Sequence, residues 1–211
     1  WLTTGQPASG VRCDHRFRLD EMMVEGHSLG TCTAHMLMRS FPGIAAAIVV
    51  EPLASIGEVG GYAALNQICN LLDGFLPRSV LMKVLYAPVT RLGQAVGNLA
   101  FRPSMFSNVP PDARGFDAHG AVAGFKGAYC AVEAGRDDLM ALAPDSKYSK
   151  PGSRNFATRL VNIAKKRPGI RKSKARIIRA PAAWHGHSRN KQSTYNKIAG
   201  FLADTGFCNL A

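Results

Sequence analysis

Ser28 lies in the stretch MVEGHSLGTC, flanked by Gly26 and Gly30 and preceded by a short apolar run. A serine hydroxyl is a poor nucleophile unless a base takes its proton and a carboxylate orients that base. Both residue types follow in the order acid then histidine: Asp137 and Asp138, then His185 and His187. That set could carry out acyl transfer through an acyl-serine, with the backbone N–H of Leu29 donating to the oxyanion. The chemistry requires the serine on a sharp strand-to-helix turn, with small neighbours so that strand and helix approach closely.

The surrounding pattern supplies those elements. The run at Glu21–Glu25 reads as a strand, and Gly26–Gly30 as a turn. Leu29, Cys32, Met36, Leu37 and Phe41 repeat at helical spacing until Pro42 and Gly43 stop the helix. IAAAIVV, Ile44–Val50, has the length and continuous apolarity of a strand buried on both faces. Strand, tight turn, helix and strand make a parallel crossover unit. Residues 55–127 are helix-like pieces broken by glycine and proline, which reads as a cap inserted between strands. Ala128–Ala134 returns to strand character and ends in a glycine turn with Asp137 and Asp138. Ala175–Ala180 is a further strand, followed by His185 and His187, and a closing helix spans about 193–203 with Ile198, Phe201 and Leu202 as its buried stripe. Acids and histidines thus follow strands, at the carboxyl end where open parallel sheets build sites.

With these motifs in view, the sequence resembles the α/β-hydrolase family from about Asp20 to Leu202. EMMVEGHSLG resembles the nucleophile elbow, AVEAGRDDL the acid-bearing turn, and APAAWHGHS followed by NKIAGFL the histidine loop and last helix. The resemblance implies an α/β fold with an α/β-hydrolase-like parallel sheet and a helical cap insertion. The elbow unit would be residues 1–54, the cap 55–127 and the rest of the core 128–211. It implies Ser28 as nucleophile, Leu29 as oxyanion donor, Asp138 as acid with Asp137 the alternative, and His185 as base favoured over His187. His27, next to the serine on a strained turn, is expected to point away from it. The family carries further strands ahead of its elbow, so the chain is expected to be the C-terminal portion of a hydrolase with its N-terminal strands missing, weak or inactive alone. The first residue, Trp1, agrees with that expectation. The function implied is a serine esterase or lipase-like hydrolase that needs no cofactor. Its substrate would be a small-molecule ester or a lipid-like compound with a hydrophobic acyl group.

Composition narrows the alternatives. With 211 residues and 46% hydrophobic content the chain suits one domain with a substantial core. No run is apolar and charge-free enough for a spanning helix. The five cysteines are odd in number and far apart, with no C-x-x-C pair, which argues against a metal site and suits thiols packed as small core residues in a reducing intracellular compartment. The net charge is +12, and 15 of the 26 lysines and arginines fall between Asp145 and Asp204, where no acid occurs. This basic segment, 147–179 at its centre, reads as a solvated surface loop. An anionic membrane surface is a partner it could bind; nucleic acid is disfavoured, since no aromatic residue is interleaved with the cations to stack on bases. The competing function is a non-catalytic or truncated relative that binds a membrane or protein through this segment.

Overall fold

The computed structural model describes residues 18–53, 118–136, 156–169, 171, 174–188 and 190–207, together with 64–65, 67–72, 74–77, 80–81, 84–85, 87–89, 91–92 and 95. Its centre is a parallel four-stranded sheet of β1 (Met23–His27), β2 (Ala46–Val50), β3 (Ala128–Arg136) and β4 (Ala175–Trp184), in that spatial order. The α/β class and the parallel sheet that the motifs imply are therefore present. Helix α1 (Gly30–Ser40) connects β1 to β2, α2 (Ala118–Gly124) precedes β3, α3 (Phe156–Lys165) connects β3 to β4, and α4 (Gln192–Asp204) closes the chain.

Alternation along the strands builds two cores. Ala47, Val49, Tyr129, Ala131 and Ala175 face α1, α2 and α3, joining Ala34, Met38, Val122, Phe156 and Leu160 in one cluster. Their neighbours Ala46, Ile48, Val50, Cys130, Val132 and Ile178 face the opposite way, onto Phe201 of α4. Successive strand residues project to opposite faces, so a sheet covered on both sides needs unbroken apolar strands, and AAIVV in β2 is buried at every position. Ile198 and Leu202 pack around Phe201, as the expected stripe of the closing helix requires.

Three features differ from the sequence reading. Helix α1 buries Thr31, Ala34, His35 and Met38, a face offset from the stripe of larger apolar residues. Thr31 and Ala34 in its first turns are small where the helix descends directly onto β1 from the elbow. The basic segment is also not one solvated loop. It contains α3, an amphipathic helix that buries Phe156, Ala157, Leu160, Val161 and Ala164. Arg167 just beyond it is itself buried, donating from Nε to Ala164 O at 2.8 Å and from Nη1 to Phe125 O at 2.5 Å. Arg176 pairs with Asp204 at 2.8 Å, while Lys165, Lys166 and Arg171 remain exposed. Finally, β3 runs through Gly135 instead of turning there. A Cβ on Gly135 would lie 2.3 Å from the Pro181 carbonyl oxygen, so the glycine lets β4 cross close over β3 at a register irregularity between Ala134 and Arg136.

Within the stretch read as a cap, helical backbone occurs at 64–65, 67–71, 80–81, 84–85, 87–89, 91–92 and 95, and again in α2. Leu65, Cys69 and Leu81 form a buried cluster of their own there. Among the described residues no helix is long and apolar enough to cross a membrane.

Candidate active site

The site is built where β1 and β2 end at one level. His27 pairs with Val50 in register, so the next residues, Ser28 and Glu51, leave the sheet side by side. Ser28 N–H donates to Val50 O at 2.9 Å and Glu51 N–H to Val132 O at 2.8 Å, which pins both departures to the neighbouring strand. Ser28 has φ 50° and Glu51 φ 52°, and among the described residues these are the two non-glycine positions with positive φ. Left-handed backbone is costly for a side chain and persists only where surrounding structure enforces it, commonly at functional sites.

The elbow is enforced by close packing. A Cβ on Gly26 would lie 2.7 Å from Gly30 O, 2.8 Å from Ala34 Cβ and 2.9 Å from Thr31 Cα, so only glycine lets α1 meet β1 here. Gly30 has open space around the same position, so only the first of the two glycines is sterically required. Thr31, fully buried, donates from Oγ1 to Ser28 O at 2.6 Å and accepts from Leu53 N–H at 3.1 Å. It ties the elbow to the segment after Glu51. Leu29 occupies the N-cap position of α1, among the first-turn amides that have no intrahelical acceptor.

The histidine comes from the far edge of the sheet. Strand β4 continues through Pro181–Trp184, so the tight turn is formed by His185–His187 and not by the residues before them. His185 Nε2 lies 2.9 Å from Ser28 Oγ. His185 Nδ1 lies 3.3 Å from Glu51 Oε2. His187 is exposed and its N–H caps the turn on Trp184 O at 3.0 Å. Of the two histidines, His185 is therefore the one beside the serine. Asp137 and Asp138 lie outside the described residues; among the described residues, the carboxylate that meets His185 is Glu51.

Glu51 is buried, its side chain 0% exposed, and it is surrounded by donors. Oε2 accepts from Gly186 N–H at 2.5 Å and lies 3.1 Å from His27 Nε2. Oε1 accepts from Ser188 N–H at 3.4 Å and, in a short contact, from the Ser188 hydroxyl. Gly186 has φ 81°, the backbone state that turns its amide toward the carboxylate. A buried carboxylate needs such partners to remain charged. With the Nδ1 proton directed at Glu51, the Nε2 lone pair faces the Ser28 hydroxyl. The sequence did carry a signal for Glu51: an acid directly after five continuously apolar residues and before Pro52 lies at the end of a buried strand. Thr31, Gly186 and Ser188 had no such signal. Among the described residues no cluster of His, Cys, Asp and Glu could hold a metal ion.

No protein-family model and no curated protein matches the chain. Among solved structures it is similar to a mutant meta-cleavage product hydrolase from Pseudomonas fluorescens complexed with acetates, at 12% identity and TM-score 0.43, covering 88% of this chain and 66% of that one. It is also similar to a protein from Mycobacterium tuberculosis described as a non-heme bromoperoxidase, at 18% identity and TM-score 0.43, covering 87% and 67%. The chain spans about two thirds of the length of each. Neither likeness assigns a role to any residue here.

Proposed function

We propose that this chain forms the core of a serine hydrolase of the α/β-hydrolase type, with Ser28 as nucleophile, His185 as base and Glu51 as the orienting acid. The observation that carries the reading is the unbroken path Ser28 Oγ, His185 Nε2, His185 Nδ1, Glu51 Oε2, with steps of 2.9 and 3.3 Å across the ring. In the reaction Ser28 Oγ attacks the ester carbonyl carbon while its proton passes to His185 Nε2. The imidazolium, held by Glu51, then gives that proton to the departing alcohol oxygen, leaving an acyl-serine. Water, deprotonated by the same nitrogen, cleaves the acyl-serine and restores the hydroxyl. The Leu29 amide, at the positive end of α1, is a donor for the oxyanion.

A hydrophobic acyl substrate is supported by exposed apolar residues at the chain positions beside the serine and the histidine. Leu29 is 68% and Trp184 50% exposed, and they adjoin Ser28 and His185 in sequence. The test is labelling with a fluorophosphonate, which captures activated serines. Labelling of the protein that disappears in Ser28→Ala is the expected result. A folded protein that takes up no probe would overturn the reading.

A further inference from the structure

His27, the residue immediately before Ser28, shares the carboxylate oxygen that holds His185. Its Nε2 lies 3.1 Å from Glu51 Oε2, and His185 Nδ1 lies 3.3 Å from the same atom. The two imidazoles are stacked, with centroids 6.2 Å apart and an interplanar angle of 22°. Among the described residues, the titratable groups that meet here are His27 from the end of β1, Glu51 from the end of β2 and His185 from the turn after β4; Gly186 and Ser188 add their amide and hydroxyl donors. The His27 ring is 31% exposed, whereas the Glu51 side chain has no exposure at all. Solvent can reach His27 but cannot replace it as a donor without entering the carboxylate's enclosure.

We propose that His27 is a positioning residue that draws on the negative charge of Glu51 and thereby sets the proton affinity of His185. The inference rests on the reading of Ser28, His185 and Glu51 as a proton relay. Each donor on a carboxylate oxygen withdraws charge that would otherwise stabilise a neighbouring imidazolium. With His27 in place, the His185 cation receives less of that charge and releases its proton at lower pH. A protonated His27 acts in the same direction, by repulsion. Since His185 must be neutral to accept the Ser28 proton, His27 extends the working range of the site toward acid.

The experiment follows the His185 imidazole by nitrogen-detected NMR across pH, alongside the pH dependence of fluorophosphonate labelling. Four variants are compared with the unaltered protein: His27→Phe, His27→Ala, His27→Asn and Glu51→Gln. Removing the donor in His27→Phe or His27→Ala raises the His185 midpoint by about 0.5–1 pH unit, and the acidic limb of labelling moves up with it. His27→Asn, which keeps an N–H donor, gives a smaller rise, and Glu51→Gln lowers the midpoint. A merely structural role for His27 would change the amount of folded protein and leave the midpoint alone. The proposal is overturned if His185 titrates at an unchanged or lower pH in whichever of the two donor-free variants folds. The two readings fail separately. Absence of labelling with a raised midpoint removes the serine reading and keeps the coupling; full labelling with an unmoved acidic limb does the reverse.

Discussion

Glu51 and His35 are both buried against the sheet, at 2% and 1% exposure, yet their surroundings differ in kind. Glu51 stands at the carboxyl end of β2, in left-handed backbone, with donors from His27, His185, Gly186 and Ser188 turned toward it. His35 lies within regular α1, its Nε2 3.1 Å from the hydroxyl of Tyr129 near the start of β3. Burial pushes the His35 pKa down to about 4, against a smaller opposing effect of its backbone contact with Thr31, and burial holds the Tyr129 hydroxyl well above its ordinary range. The sheet interior therefore keeps polar groups neutral, whereas its rim is organised to carry charge and strain. That contrast separates a polar pair that stabilises the fold from a polar cluster suited to chemistry.

The comparison is broken most directly at Glu51. In Glu51→Gln the relay loses its charge while its shape is kept, and kcat falls by about 10³–10⁴-fold in a steady-state ester assay. Asp137→Asn and Asp138→Asn leave the same rate near that of the unaltered protein. The opposite pattern would return the acid to the turn after β3. The strain at the rim is tested next. Gly26→Ala forces α1 away from β1 and destabilises the protein by about 1–3 kcal/mol in urea unfolding, with most activity lost. Gly30→Ala, which meets nothing, changes stability by no more than about 0.5–1 kcal/mol, toward greater stability.

The interior half of the comparison predicts an acid sensitivity. Unfolded His35 takes up a proton near its ordinary value of 6.5, whereas folded His35 does so only near 4. The unfolded state thus binds more protons between these limits, and stability from this group is complete above pH 6.5 and lost as the pH falls toward 4. Between pH 7 and pH 5 the loss is about 2 kcal/mol. Urea midpoints at the two pH values, measured also for His35→Gln, check it: the variant's slope over this range is shallower by that amount.

Much of this arrangement was legible in the chain. A run of apolar residues under a glycine-flanked serine, then a second continuous apolar run, fixes a parallel crossover, because both patterns report local periodicity and burial. The neighbourhoods of Ser28 and His185 are legible for the same reason: each is attached to a strand or turn with its own signature. Asp137 and Asp138 lie outside the described residues, and Gly135 just before them allows the close approach of Pro181. The proximity of Glu51 to His185 depends on which strand ends lie side by side in space, which spacing along the chain does not state. Helix α3 was hidden because its stripe of Phe156, Ala157, Leu160, Val161 and Ala164 is short and embedded among cations. Net charge says where a segment is soluble, not which of its faces is dry.

Cys130 in β3 is fully buried, its thiol pushed up to about 12 by burial, and Cys69 is equally enclosed in the separate cluster of the middle helices. An alkylating reagent has no access to either buried sulfur while its surroundings stay closed. The two thiols are therefore built-in clocks for two different openings, and comparing their alkylation rates would time the loosening of the middle helices separately from the parting of the sheet.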